Sequence, residues 1–117
     1  MARNVLGEEL AVCGLDPVTG WMRTGCCETD AHDVGSHTVC VVMTDDFLEF
    51  SAARGNDLST PRPGFAGLQA GDRWCLCASR FKEALDAGVA PRVIVEACEE
   101  RALDDVPLAA LRAHAFD

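Results

Sequence analysis

Thr38-Val39-Cys40-Val41-Val42-Met43 is the stretch that decides the fold of this chain. Its residues are apolar or β-branched at every position, which is the pattern of a strand buried on both faces. A strand of this kind needs neighbouring strands beside it and helices packed over it. The flanking sequence should therefore supply further strands and amphipathic helices.

The residues directly after this stretch predict a helix. Thr44 is a suitable N-cap, and the aspartates at 45–46 suit the positive end of the helix dipole. Phe47 and Phe50 fall on one face, and Gly55 is a typical residue just beyond a helix end. We therefore expect a helix that ends near residue 54.

The other predicted elements are short and separated by loops. In chain order they are a strand at 4–6, a strand at 73–77, a helix at 80–87 capped by Ser79, a strand at 92–97 and a terminal helix after Pro107. Residues 7–35 and 55–71 are rich in glycine, proline and polar residues and are predicted as loops. This pattern predicts an α+β fold for 1–117 as a compact single domain. It has a small mixed β-sheet of about three to four strands, helices packed on the sheet and a long ordered N-terminal loop region.

Composition limits the class of protein. A chain of 117 residues with 49% hydrophobic content has enough apolar surface to fold without disulfides. A signal-peptide pattern and an apolar run of membrane-spanning length are both missing, so a cytoplasmic location is expected. There the seven cysteines would be free thiols or metal ligands. A net charge of −9 repels phosphate backbones, which argues against nucleic acid as a partner. The lack of a long apolar run argues against a membrane.

Thiols and imidazoles concentrate in residues 25–40 and 74–77. Cys27 lies in a polar loop close in sequence to His37, so we expect an exposed thiol with a lowered pKa. Cys75 and Cys77 alternate onto one face of their strand. These four residues are expected to converge, with Cys27 within about 12 Å of Cys75 or Cys77. Cys40 and Cys98, in contrast, lie in apolar strand contexts and are predicted to be core residues.

Zinc is the first metal to consider, since His37, Cys40, Cys75 and Cys77 are nominal ligands for a tetrahedral site. Their spacing argues against a structural zinc, because zinc knuckles are usually Cys-x2-Cys turns and Cys75-x-Cys77 lies within a strand. A catalytic site with three ligands, Cys27, His37 and either Cys75 or Cys77, stays open. The acidic stretch 28–33 could bind Mn or Fe, but it is more typical of a solvated loop. No particular cofactor, metal or oligomeric state is indicated.

The proline-stiffened loop at 56–63 has two interpretations. One is a binding loop, in which polar side chains meet a small anionic molecule. Its candidate ligand-binding residues are Asn56, Ser59, Thr60 and Arg62, with Asp57 as a catalytic candidate. The other is a turn in which Asn56 and Asp57 hydrogen-bond their own backbone. Arg80 begins a helix, where its charge gains nothing from the dipole, so it is expected to hold an anion. Asp57 is expected to orient either Arg80 or the bound group.

Several strings of this sequence resemble one bacterial family. They include Gly35-Ser36-His37-Thr38-Val39-Cys40, Arg54-Gly55-Asn56-Asp57-Leu58-Ser59-Thr60-Pro61 and Gly71-Asp72-Arg73-Trp74-Cys75-Leu76-Cys77-Ala78. These strings are similar to the family catalogued as domain of unknown function 2237, and the likeness covers nearly the whole chain. The family's name assigns no activity.

The resemblance implies which positions belong to the family pattern. They are Cys13, Cys27, His37, Asn56, Asp57, Trp74, Cys75, Cys77 and Arg80. The resemblance also implies that the positions of Cys26 and Cys40 can hold other residues. In this chain the segment 64–68 is shorter than the family's corresponding loop, so a ligand contact there is not carried over.

Two classes of function follow. The first is an enzyme or small-molecule-binding domain whose pocket has a thiolate nucleophile or redox centre, His37 as base and Arg80 on an anionic group. Its catalytic candidates are Cys27, His37, Asp57, Cys75 and Cys77, and its ligand-binding candidates are Asn56, Ser59, Thr60, Arg62, Trp74 and Arg80. The second is a non-catalytic structural or zinc-binding interaction module built from the same residues.

Overall fold

The fold is built around a central strand with one partner strand on each side. The structure is a computed structural model, and it describes residues 2–116. The central strand, β1, is His37–Val42, and it lies between β2, Arg73–Cys77, and β3, Arg92–Val93. Both partners pair with β1 in the antiparallel direction. The α+β class is confirmed, with antiparallel strands where a mixed sheet was expected.

Burial explains why β1 is central. Val39, Cys40 and Val41 have no exposed surface, so both faces of the strand are covered. β2 pairs with β1 in a register that places Cys40 opposite Cys75 and Val41 opposite Trp74. The register is irregular between His37 and Val39, which is a bulge at the start of β1. Bulges re-aim the side chains beside them, and this one lies next to His37.

Residues 2–116 form three α-helices, which are α1, Asp45–Ala53, α2, Ala78–Asp86, and α3, Leu108–Ala113. Of these, α2 contacts β1, β2 and α1. The Thr44 hydroxyl accepts a hydrogen bond from the Phe47 N–H, which is the predicted N-cap. In contrast, α2 begins directly after Cys77, so Ser79 lies inside the helix and the predicted cap is wrong. Phe81, in α2, is fully buried.

The predicted strand at 92–97 is wrong after Val93. β3 ends at Val93 and is followed by the short 3-10 helices Val95–Ala97 and Glu100–Asp104. The Ile94 N–H still donates to the Cys40 carbonyl at 2.9 Å. If β3 continued, the Cys40 N–H would donate to one of its backbone carbonyls. It donates instead to the Cys98 sulfur at 3.3 Å. The side chain of Cys98 therefore replaces a backbone partner in the β1–β3 ladder, and the chain leaves the sheet after Val93.

The N-terminal segment, residues 2–36, consists of turns and isolated bridges such as Arg3 with Glu9 and Asn4 with Glu99. The predicted strand at 4–6 is therefore wrong, and one long ordered loop is not confirmed. Asn4 is 1% exposed and fixes this segment. Its Oδ1 accepts from Leu6 and Glu8 N–H groups, and its Nδ2 donates to the Glu9 and Glu96 carbonyls.

Within residues 2–116, no helix has the length and apolar character needed to cross a bilayer. The longest helices, α1 and α2, have nine residues each. A membrane-spanning helix needs about 20.

Asn4→Ala should lower the free energy of unfolding by about 3 kcal/mol, because it strands buried backbone groups that the amide now satisfies. Urea denaturation measures the change. Gln69→Ala is the control, since Gln69 is exposed, and it should leave the midpoint within error. Equal midpoints for the two variants would contradict the role given to Asn4.

Candidate functional site

Two disulfides join the N-terminal segment to the sheet. Cys13 is bonded to Cys40 of β1, and Cys27 is bonded to Cys75 of β2. The expectation of seven free thiols is therefore wrong. Cys27 is fully buried, so an exposed thiol with a lowered pKa is also wrong at this position. The predicted core location of Cys40 is correct, but as half of a disulfide.

The two disulfides are neighbours. The sulfur atoms of Cys13, Cys27 and Cys75 all lie within 4.8 Å of one another. Cys40 and Cys75 face each other across β1 and β2, which brings the second disulfide to the first. We call these four residues, Cys13, Cys27, Cys40 and Cys75, the sulfur cluster. The zinc set considered from spacing shares Cys40 and Cys75 with it, but His37 and Cys77 lie outside it.

A cavity of about 340 Å³ lies beside the sulfur cluster, and Cys75 forms part of its wall. The other lining residues are Gly20, Trp21, Arg23, His37, Leu58 and Trp74. The His37 ring stacks on Trp21 with a centroid distance of 5.7 Å, and the Arg23 guanidinium lies 5.1 Å from the centre of the Trp74 ring. The cavity therefore combines flat aromatic walls with a cation.

Asp33 fixes the orientation of His37. Its Oδ1 is 2.6 Å from His37 Nδ1, and its Oδ2 accepts from the His37 backbone N–H and the Thr29 hydroxyl, both at 2.9 Å. Burial alone would raise the pKa of Asp33, but these hydrogen bonds outweigh it, so the pKa lies below its usual value. An ionised carboxylate can only accept, so Nδ1 donates and Nε2 is the ring nitrogen left for other partners.

Unusual backbone conformations position the cavity residues. Ser36, directly before His37, has a φ of +50°, and Arg23 has a φ of +55°. Non-glycine residues in this region are uncommon and persist where their surroundings enforce them. Gly20 has a φ of +101°, and a Cβ there would collide with the Cys26 carbonyl. The turn that carries Trp21 and Arg23 therefore requires glycine at position 20.

Cys77 lies next to the His37 end of the cavity, since the two residues are paired on β2 and β1. Its thiol donates to the Gly35 carbonyl at 2.7 Å and lies 3.2 Å from the Ser79 hydroxyl. A Cβ on Gly35 would lie 3.0 Å from His37 Cε1 and 3.3 Å from the Cys77 sulfur. Gly35 therefore separates the thiol from the imidazole with little space to spare.

The other two free cysteines of the described residues, Cys26 and Cys98, have raised thiol pKa values. Burial is the main cause that raises the pKa of the Cys26 thiol, and the nearby Glu28 charge adds to it. Burial likewise raises the pKa of Cys98 to about 12. Cys98 is fully buried, as predicted for a core residue.

The chain's family follows from its sequence as a whole. Residues 3–115 match the family model DUF2237, described as an uncharacterized protein conserved in bacteria. The chain belongs to the DUF2237 family. The resemblance read from the sequence strings is therefore confirmed. No curated protein matches the chain, so membership of DUF2237 brings no assigned activity.

In this DUF2237 protein the loop at 56–63 forms a turn. Asp57 accepts from the hydroxyl and N–H groups of Ser59 and Thr60, and Arg62 donates to the Asp57 carbonyl. Hydrogen bonding, foremost from the Thr60 hydroxyl, lowers the pKa of Asp57 to about 2. The Asn56 carbonyl accepts from Ser51 at 2.6 Å. The Asp57 side chain therefore bonds the backbone of its own turn, as the turn interpretation predicts, whereas Asn56 takes part through its backbone carbonyl.

Arg80 does not pair with Asp57 in the hydrogen bonds of the described residues. Its guanidinium donates to the Arg54 carbonyl at 3.1 Å and to Glu83 at 3.4 Å. The expectation that Asp57 orients Arg80 is therefore wrong. Arg80 instead joins the start of α2 to the end of α1, where the Arg54 carbonyl needs a donor.

Of the residues that sequence analysis selected, His37, Trp74 and Cys75 line the cavity, and Cys27 and Cys77 adjoin it. Sequence analysis missed Trp21 and Arg23 and did not pair Asp33 with His37. The available signals were weak. Trp21 and Arg23 follow the Gly20 turn, and Asp33 precedes His37 by four residues.

Acid should destabilise the protein through Asp33. Because its folded pKa lies below the ordinary value of 3.8, its stabilisation is complete above that pH and is lost as the pH falls through the folded pKa. Asp33→Asn should remove this part of the pH dependence, measured as urea midpoints across the acidic range. Asp30→Asn, which changes the half-buried carboxylate three residues earlier, should retain it. A slope unchanged in Asp33→Asn would contradict the assignment.

Reduction of both disulfides, with a metal chelator present, should destabilise the protein. The bonds close loops with sequence separations of 27 and 48 residues. Loops of this length correspond to about 3–4 kcal/mol for each disulfide. Urea denaturation with and without a phosphine reductant measures the loss. Cys26→Ala, a change at a free cysteine, should leave the oxidised midpoint unchanged, whereas equal midpoints for the oxidised and reduced wild type would show that the disulfides contribute nothing.

Proposed function

We propose that this domain binds a small, planar, anionic molecule in the cavity beside His37. The observation that carries the proposal is the lining of the cavity, where Arg23 and His37 lie among Trp21, Trp74 and Leu58. A volume of about 340 Å³ is at the lower end of the range for small-molecule sites, about 300–1,000 Å³. A molecule of about one aromatic ring suits this space.

Two features support an anion in particular. Arg23 lies over the Trp74 ring, and one of its nitrogens donates to the Gly20 carbonyl at 2.8 Å, so its position is fixed before a ligand arrives. A fixed cation binds an anion with less loss of conformational entropy than a mobile one. The His37 ring, held through Nδ1 by Asp33, can offer Nε2 as a second polar contact.

The pair Asp33–His37 favours a second candidate function, which is proton transfer to or from the bound molecule. A histidine held by a buried carboxylate is a common general base, because the carboxylate fixes the tautomer and stabilises the imidazolium. Thiolate catalysis by Cys27 or Cys75 receives no support, since both sulfur atoms are in a disulfide. The first candidate needs no reaction and is the one we favour.

Benzoate and neutral benzamide are matched probes for this proposal. Benzoate should shift the indole N–H NMR signals of Trp21 and Trp74, and benzamide should bind at least about tenfold more weakly, since it lacks the charge that Arg23 contacts. Arg23→Gln should weaken benzoate by a similar factor and leave benzamide unchanged. Arg112→Gln makes the same charge change in an exposed part of α3 and should affect neither probe.

Two outcomes would contradict an anion site. One is equal affinity of the two probes for the wild type. The other is equal loss of benzoate affinity in Arg23→Gln and Arg112→Gln, which would indicate a general effect of net charge. For the second candidate, His37→Gln should abolish turnover of a substrate found in a metabolite screen, whereas retained turnover would exclude His37 as the base.

A further inference from the structure

We propose that the sulfur cluster binds one zinc ion when its disulfides are reduced. Cys13, Cys27, Cys40 and Cys75 then offer four thiolates, which is the ligand set of a closed structural zinc site. Thiolates select zinc over magnesium, calcium and manganese. This inference does not depend on the ligand of the neighbouring cavity.

The sulfur positions are close to those that zinc requires. Cys13, Cys27 and Cys75 have sulfur atoms within 4.8 Å of one another, and the Cys40 sulfur is 2.06 Å from that of Cys13. In a tetrahedral site with Zn–S bonds of about 2.3 Å, neighbouring sulfurs lie about 3.8 Å apart. Each bonded pair must therefore separate by less than about 2 Å, and the Cys40 sulfur, which is outside the group within 4.8 Å, must also move toward those of Cys27 and Cys75 by side-chain rotation.

Contacts other than the sulfur–sulfur bonds hold Cys13, Cys40 and Cys75 near one another. Cys27 lies two residues after Gly25, whose carbonyl accepts from the Cys13 N–H. Cys40 and Cys75 are paired in the β1–β2 ladder. The Cys13 N–H donates to the Gly25 carbonyl at 2.8 Å, and the Arg73 guanidinium donates to the Cys13 carbonyl at 3.3 Å. Reduction therefore leaves a group of thiols that are already close together before metal binds. In an unfolded chain, metal binding has to bring the ligands together.

The surroundings suit a tetrathiolate, which carries a net charge of −2 with zinc. Arg73 approaches Cys13, and Arg23 lines the cavity together with Cys75. These cations offset part of the cost of burying the negative charge. The cavity also reaches one edge of the cluster, which gives an ion a path to sulfur atoms that are otherwise buried.

The chemistry balances with a phosphine as reductant. Each disulfide accepts two electrons and becomes two thiols, while the phosphine becomes its oxide with oxygen from water, whose two protons pass to the sulfurs. Zinc then displaces the four thiol protons as it binds. Two phosphines and one zinc are consumed for each chain.

Cobalt replaces zinc as a spectroscopic probe in the first test. Titration of phosphine-reduced wild type with Co²⁺ under anaerobic conditions should give thiolate-to-cobalt charge-transfer bands that saturate at one equivalent and vanish when zinc is added. Oxidised wild type should give no such bands, because its four sulfurs are bonded to one another. Reduced protein without these bands at millimolar cobalt would overturn the proposal.

Variants identify the ligands. Loss of an outer-shell partner of a metal site weakens metal binding by roughly tenfold to hundredfold. Cys40→Ala and Cys75→Ala each remove a direct ligand, so each should weaken cobalt binding by more than this. Cys26→Ala is the matched control, because Cys26 is adjacent to Cys27 in sequence but is free and outside the cluster. Equal affinity in all three variants would place the metal elsewhere and overturn the assignment.

Alkylation of wild type provides a test that does not depend on whether the variants fold. With zinc present, the reduced protein should protect all four cluster cysteines from iodoacetamide, as measured by peptide mass. Zinc should leave the labelling of Cys26 and Cys77 unchanged. If chelator and zinc give the same protection at the cluster, the reduced cysteines are merely buried and the proposal is wrong.

Discussion

The antiparallel pairing of β1 with β2 is the constraint on which the rest of the structure depends. It places Cys40 beside Cys75, and each of these residues is bonded to a cysteine of the N-terminal segment. That segment has turns and isolated bridges where other parts have helices. Ordering each of its residues costs about 1–2 kcal/mol of backbone entropy, as it does anywhere in the chain. Two disulfides reduce this cost by restricting the unfolded chain, and together with Asn4 they explain how so irregular a segment is held against the sheet.

The same pairing creates the cavity. The bulge at the start of β1 and the left-handed conformation of Ser36 aim His37 toward Trp21, while β2 presents Trp74 and Cys75 beside it. The buried hydrogen bonds of Asp33 matter more here than the exposed turn around Asp57, although the pKa of Asp57 is strongly lowered. Asp57 lies in a surface turn, where solvent screens its interactions, whereas the hydrogen bonds of Asp33 hold a ring that lines the cavity.

The sequence predicted those parts that depend on local pattern. The apolar run at 38–43 and the capped helix after Thr44 follow from periodicity and capping, and both are present. Cysteine pairing is different, because several connectivities fit one set of positions and only the folded chain selects among them. The end of β3 likewise depends on a bond between the Cys40 N–H and the Cys98 sulfur, which no local pattern encodes. The Asp33–His37 pair was likewise not predicted, because it occurs beside a bulge and includes Ser36, which has a positive φ, between its two members.

The net charge of −9 does not argue against an anion beside His37. At physiological ionic strength, charges more than about 8 Å apart in solvent are largely screened, so the excess of carboxylates acts mainly on the rate of approach. Affinity depends on contacts inside the cavity, where Arg23 is held in place by Trp74 and the Gly20 carbonyl. The proposed ligand therefore differs from a polyanion, because only a small anion places all of its charge at short range from the Arg23 guanidinium.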